Sequence, residues 1–184
     1  MITAAQLIPY RGAGEDYVWT EDLKSRFQRL RSERQPFYLT FEEFDEILHW
    51  KLDQQYGRQR ERRKANTDEV IRAITGAALT ITLAEDEVQE EYELELRIGI
   101  LCALRGVGVP VASAVLALVF PEKYAVIDFR GWRQVFGEEK RNGFSIADYK
   151  RYLREVRRLA DELRWLVQEV DLAIWVYDKD TTAR

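Results

Sequence analysis

Apolar residues recur at three- and four-residue spacing along most of the chain, and no stretch sustains the alternation that a half-buried strand requires. Leu23, Phe27 and Leu30 predict a helix over residues 20–34, which Pro36 stops. Thr40 with Glu43 forms a capping box, and Phe41, Phe44, Ile47, Leu48 and Leu52 carry one apolar face to about Tyr56, where Gly57 ends it. Asn66 or Thr67 caps a helix running to Leu79 or Leu83, and an acidic run opens a long helix over 85–104, with negative charge where the dipole favours it. Residues 109–119 are apolar on every side except Ser113, which predicts a buried helix ended by Pro121. Asp128 caps a short helix to Val135. Ile146, Tyr149, Leu153, Val156, Ala160 and Leu163 line one face of a helix over 145–166, and 170–177 closes the chain. The expectation is an all-α fold of about eight helices, a single helical unit over 1–184 that its length allows to be one domain or two small lobes sharing a core. Residues 1–19, with Pro9, Gly12 and Gly14, read as an irregular arm, and 178–184 as a frayed tail.

Composition narrows the picture. With 46% hydrophobic residues and five tryptophans among 184 residues, the chain can bury a substantial interior. Cys102 stands alone, so neither a disulfide framework nor a four-cysteine iron–sulfur cluster can be built, and a reducing compartment is expected. The N-terminus shows no signal pattern, and the apolar run 107–120 is too short and interrupted to span a bilayer; the expectation is a cytoplasmic monomer. A net charge of −4 argues against nonspecific coating of nucleic acid but leaves room for a local basic face. Arg58, Arg60, Arg62, Arg63 and Lys64 crowd one segment, while Glu85, Asp86, Glu87, Glu90, Glu91, Glu93 and Glu95 crowd another. Each run reads most simply as a solvated face.

Chemistry concentrates between Leu101 and Trp132. Gly106 and Gly108 bracket a turn between two apolar helices, where the backbone can approach another molecule closely and helix N–H groups can meet a phosphate. Cys102-Ala103-Leu104-Arg105-Gly106-Val107-Gly108-Val109-Pro110 resembles the hairpin of the helix-hairpin-helix base-excision DNA glycosylase superfamily, and is especially similar to that of 8-oxoguanine DNA glycosylases. Val126-Ile127-Asp128, with Asp128 eighteen residues past Pro110, falls where that superfamily keeps a catalytic aspartate, so residues 86–136 take the place of its core motif.

The resemblance implies a two-lobed glycosylase-like fold acting on double-stranded DNA that contains a damaged or modified base. It implies phosphate binding by the amides of Gly106, Val107, Gly108 and Val109 beside Arg105, and a potassium or sodium ion on the carbonyls of Cys102, Leu104 and Val107. It makes Asp128 the group that stabilises the sugar cation as the N-glycosidic bond breaks. Bifunctional members carry a lysine where this chain has Pro110, so the implied enzyme is monofunctional unless another lysine serves. Lys51, in His49-Trp50-Lys51, is the lysine beside an aromatic cluster. Trp50, Lys51, Phe129 and Trp132 are candidates for a base pocket, although aromatics at helical spacing usually belong to a core. The alternative is a noncatalytic hairpin module that binds DNA or another protein, with Asp128 as a helix cap.

Overall fold

The computed structural model describes residues 1–83 and 86–182. All regular structure among them is helical, in ten α-helices and two short 3-10 segments. The α-helices are α1 (Ala4–Leu7), α2 (Tyr17–Glu33), α3 (Phe41–Leu52), α4 (Arg60–Arg63), α5 (Asp68–Thr80), α6 (Glu87–Leu101), α7 (Val109–Val119), α8 (Phe129–Phe136), α9 (Ile146–Leu163) and α10 (Val167–Thr182). The 3-10 segments are Ile8–Tyr10 and Asp53–Gln59. Among the described residues no helix is long and apolar enough to cross a membrane. The chain divides into two compact units, one from Met1–Gln28 with the chain from Leu116 onward, the other Arg29–Val115, so the boundaries fall within α2 and α7.

The first unit corrects the expectation at both ends of the chain. Residues 1–19 are not an irregular arm. Thr3 and Gln6 form a reciprocal capping box that starts α1, which buries Ala4 and Leu7, and Ile2 is buried beside it. Nor do residues 178–182 fray. α10 runs on to Thr182, and the carboxylate of Asp178, fully buried, is gripped by Arg130, Arg133 and Gln134 of α8. Such a pair holds because the cost of burying the charge is met by several charge-assisted hydrogen bonds. α9 starts from Ser145, whose hydroxyl accepts from the Asp148 amide, and its last residue is Leu163, three before the expected end at 166, because Arg164 lies in the left-handed region (φ 57°). The core of this unit holds Leu7, Leu23, Phe27, Trp132, Tyr149 and Tyr152.

In the second unit the Thr40–Glu43 capping box forms as expected. Glu43 does more than cap. It is buried and takes a two-pronged bond from Arg34 at 2.8 and 2.9 Å, with the Arg34 guanidinium 4.6 Å from the Tyr38 ring. α3 stops at Leu52, short of Tyr56, because Asp53 turns left-handed (φ 41°) and the chain tightens into a 3-10 segment. The acidic run is not wholly a solvated face either. α6 begins at Glu87 on an Asp86 cap and ends at Leu101; Glu85, where the sequence reading began it, lies outside the described residues. Within it Glu93 and Arg97 are buried together at 3.0 Å, Arg97 holding the carbonyl of Ala78 and Glu93 the amide of Leu83. This pair ties α6 to the C-terminal end of α5.

Candidate nucleic-acid interface

The turn between α6 and α7 is built from the second unit alone. Cys102 and Leu104 continue the last turn of α6 through hydrogen bonds to the carbonyls of Ile98 and Leu101. The chain reverses at Gly106, whose φ of 79° lies where a Cβ costs about 1–2 kcal/mol. Val107 then donates to the Leu104 carbonyl at 3.1 Å, and the Gly108 carbonyl accepts from Val111 and Ala112 to start α7. The amides of Gly106, Gly108 and Val109 have no chain partner among the described residues, as the first N–H groups of a helix do not.

A residue outside the hairpin sets this geometry. Asn66 is 4% exposed, and its amide clamps the backbone of Arg105 from both sides: Oδ1 accepts from the Arg105 N–H at 3.0 Å and Nδ2 donates to the Arg105 carbonyl at 2.9 Å. Thr67 takes the capping role for α5, accepting from Val70, so the two cap candidates divide the work. The signal for Asn66 in the sequence was only a polar residue next to a better cap.

The hairpin lines an open hollow of about 860 Å³, bounded by residues 102–108 on one side and by Glu61, Arg62 and Ala65 on the other. Arg105 is exposed at its rim. The basic segment 58–64, expected to be a solvated linker, therefore supplies a wall to the hairpin. Exposure is uneven along the turn: Gly108 is open, Gly106 half-buried, and Val107 and Val109 are tucked inward as apolar anchors. Gly108 is not held by conformation, since a Cβ there would meet only Pro110 Cδ at 3.9 Å. Of the three carbonyls expected to hold a monovalent ion, that of Leu104 already accepts from Val107. Burial pushes the Cys102 thiol up, so it stays protonated and inert.

Asp128 belongs to the first unit. It caps α8, its Oδ1 accepting from the amides of Arg130 and Gly131 at 3.0 and 2.9 Å, and it is half-buried. Gly131 is required next to it, because a Cβ there would collide with the hydroxyl of Tyr152. Tyr152 is fully buried and donates to Asp171 at 2.9 Å; burial first, then the charges of Asp171 and Asp128, hold its hydroxyl well above the ordinary tyrosine range.

The four aromatic and lysine candidates for a base pocket are divided between the two units. Trp50 and Lys51 are half-buried near the end of α3 in the second unit, whereas Phe129 and Trp132 belong to α8 in the first. Trp132 is a core residue, 2% exposed, packed 4.4 Å from Phe136 and 5.7 Å from Phe144 with Lys140 and Arg151 over its ring, and has no face to offer a base. Phe129 is exposed, with Arg130 against its ring at 5.1 Å. His49 stacks on Tyr56 at 3.7 Å between ring centres. No cluster of metal-ligating side chains occurs among the described residues. Comparison with protein-family models, with curated proteins and with solved structures finds no match.

Proposed function

We propose that this chain binds the phosphate backbone of double-stranded DNA through the Arg105–Val109 hairpin, as a protein of helix-hairpin-helix type. The observation that carries the reading is the clamp of Asn66 on Arg105. It spends a buried side chain on shaping a turn whose amides at Gly106, Gly108 and Val109 have no partner among the described residues, beside Arg62 and Arg105. Preorganised amides at a helix N-terminus, flanked by arginines, suit an anion such as a DNA phosphate. A monovalent cation on the carbonyls of Cys102 and Val107 is compatible with this role.

Within that class we take Asp128 as the group that stabilises the sugar cation in removing a damaged or modified base, with no Schiff base because Pro110 replaces the lysine. One observation favours the noncatalytic alternative. Both cap bonds to Asp128 Oδ1 give this carboxylate a sufficient structural role.

Two measurements test these readings. Duplex binding followed by fluorescence polarisation should weaken linearly on a log–log salt plot, and Arg105→Glu should weaken it further and flatten the slope by about 1. Unchanged binding in that variant removes the hairpin from the interface. Strand breakage after heat and alkali across a panel of lesion-bearing duplexes reports base excision, and a blank panel leaves the binding module without the enzyme.

A further inference from the structure

A second cavity, of about 300 Å³, lies within the second unit between α3, α4 and the start of α5. That volume sits at the lower end of the range for small-ligand sites, about 300–1,000 Å³. Its floor is apolar, made by Phe44, Leu48 and Ile71, each 2% exposed or less, with the partly exposed Phe41 also lining it. Its polar side is mainly basic and comes from the segment 58–64, which is thus not wholly a solvated face: Arg60, Arg63 and Lys64 line it, with Asn66 beside them.

Arg63 is the telling residue. It is 6% exposed, donates from Nη2 to the carbonyl of Tyr56, and lies 4.7 Å from the Tyr56 ring, yet its Nη1 is buried with no hydrogen-bond partner among the described residues. A buried guanidinium donor left unpaired costs free energy, and because Arg63 forms part of the cavity wall, a small shift of its side chain would let an anion there return that cost. Arg60 is exposed, and Lys64 is held by Glu61 at 2.7 Å. The one carboxylate lining the cavity, Asp45, accepts the Tyr56 hydroxyl at 2.5 Å. Burial and that hydrogen bond raise the Tyr56 hydroxyl above its ordinary range, so it stays a donor directed at Asp45.

We infer that this cavity binds a small ligand in which a flat apolar group carries a phosphomonoester, the chemistry of a nucleoside monophosphate. The apolar floor would receive the base and the Arg63 and Arg60 guanidinium groups the phosphate, whose planar forks match its oxygens in pairs. A phosphomonoester carries about −1.5 to −2 charges near neutrality, a better match to the two arginines than a single carboxylate is, with Lys64 already held by Glu61. The inference rests on this cavity and not on the hairpin reading.

Calorimetric titration and thermal shift with adenosine 5′-monophosphate, adenosine and inorganic phosphate test it. The monophosphate should bind and raise the melting temperature, with adenosine and phosphate each weaker by about tenfold or more, the worth of one charge-assisted contact or one buried ring. Arg63→Gln should abolish binding. Because Arg63 also holds the Tyr56 carbonyl, Arg60→Gln at an exposed position provides the second variant and should weaken binding by about tenfold. Arg105→Glu, which lies at the other hollow, should leave it unchanged, so failure here is distinguishable from failure of the DNA reading. A 5′-phosphorylated trinucleotide that competes, where its unphosphorylated twin does not, would place the group at a strand end; failure to compete would place it on a free nucleotide. No heat and no shift at millimolar monophosphate, or equal affinity in the wild type and both cavity variants, overturns the inference.

Discussion

Asn66 holds Arg105 by both of its backbone polar groups, at 3.0 and 2.9 Å, across 39 positions of sequence. Removing this clamp leaves a donor and an acceptor without partners, which costs about 1–3 kcal/mol for each group that stays buried. Asn66→Ala should therefore lower the urea midpoint clearly. Asn66→Asp should fare no better, since a carboxylate would face the Arg105 carbonyl. An Asn66→Ala protein as stable as wild type would show that the clamp is incidental.

The two glycines of the hairpin should separate. Gly106→Ala places a Cβ at φ 79° and should destabilise by about 1–2 kcal/mol, whereas Gly108→Ala meets only ordinary contact and should be close to neutral. Thermal unfolding of the two variants side by side decides it, and equal losses would mean the turn is held differently.

Asp128 can be tested so that capping and chemistry come apart. Asn is as good a cap as Asp, so Asp128→Asn should keep the melting temperature, while Asp128→Ala should cost about 0.5–2 kcal/mol. If the carboxylate stabilises the sugar cation, the same Asp128→Asn loses excision by about two orders of magnitude or more and keeps DNA affinity. Excision at the wild-type rate in Asp128→Asn would make the residue a cap alone.

Acid should reach the first unit through Asp178 and Asp148. Burial works to raise both carboxyls, but hydrogen bonds outweigh it: from Gln134, Arg133 and Arg130 at Asp178, and from Lys140 and Ser145 at Asp148, which is held down to about 2. A carboxyl with a lowered folded-state value adds stability that is complete above its unfolded value, 3.8, and is lost as pH falls toward the folded one. The melting temperature should thus drop between about pH 4 and pH 2, and Asp148→Asn should flatten that drop. At neutral pH Asp178→Ala should cost about 1–3 kcal/mol, since two arginines and Gln134 lose the buried acceptor they share, while both arginines keep some access to water. A melting temperature that ignores pH across this window would refute the assignment.

What could be read in advance was local. The 3.6-residue periodicity, the capping box at Thr40, the cap at Asp128 and the buried run from Val109 all rest on neighbours within one or two turns, and all appear in the structure. The Thr3–Gln6 box was equally local and was overshadowed by Pro9, Gly12 and Gly14. The rest depended on distant partners. Nothing near Asp178 announces that Arg130 and Arg133 will neutralise it, and Trp132 could not be separated from a stacking platform until Phe136 and Phe144 closed over it. For the same reason nothing in the sequence separates Asn66 from a helix cap, or Arg63 from one more solvated charge in a basic run.

The short helix α4 has a consequence for how this unit responds to ligands. Glu61, Arg62 and Ala65 face the hairpin hollow, while Arg60, Arg63 and Lys64 line the cavity behind it, so a few residues form one partition between two compartments. A backbone shift of this segment would reach both sides. Any occupant that orders or displaces it changes the free energy of occupying the other side, and thermodynamic reciprocity makes the two effects equal in size. If both hollows take a ligand, this short segment is where occupancy of one would be felt in the other.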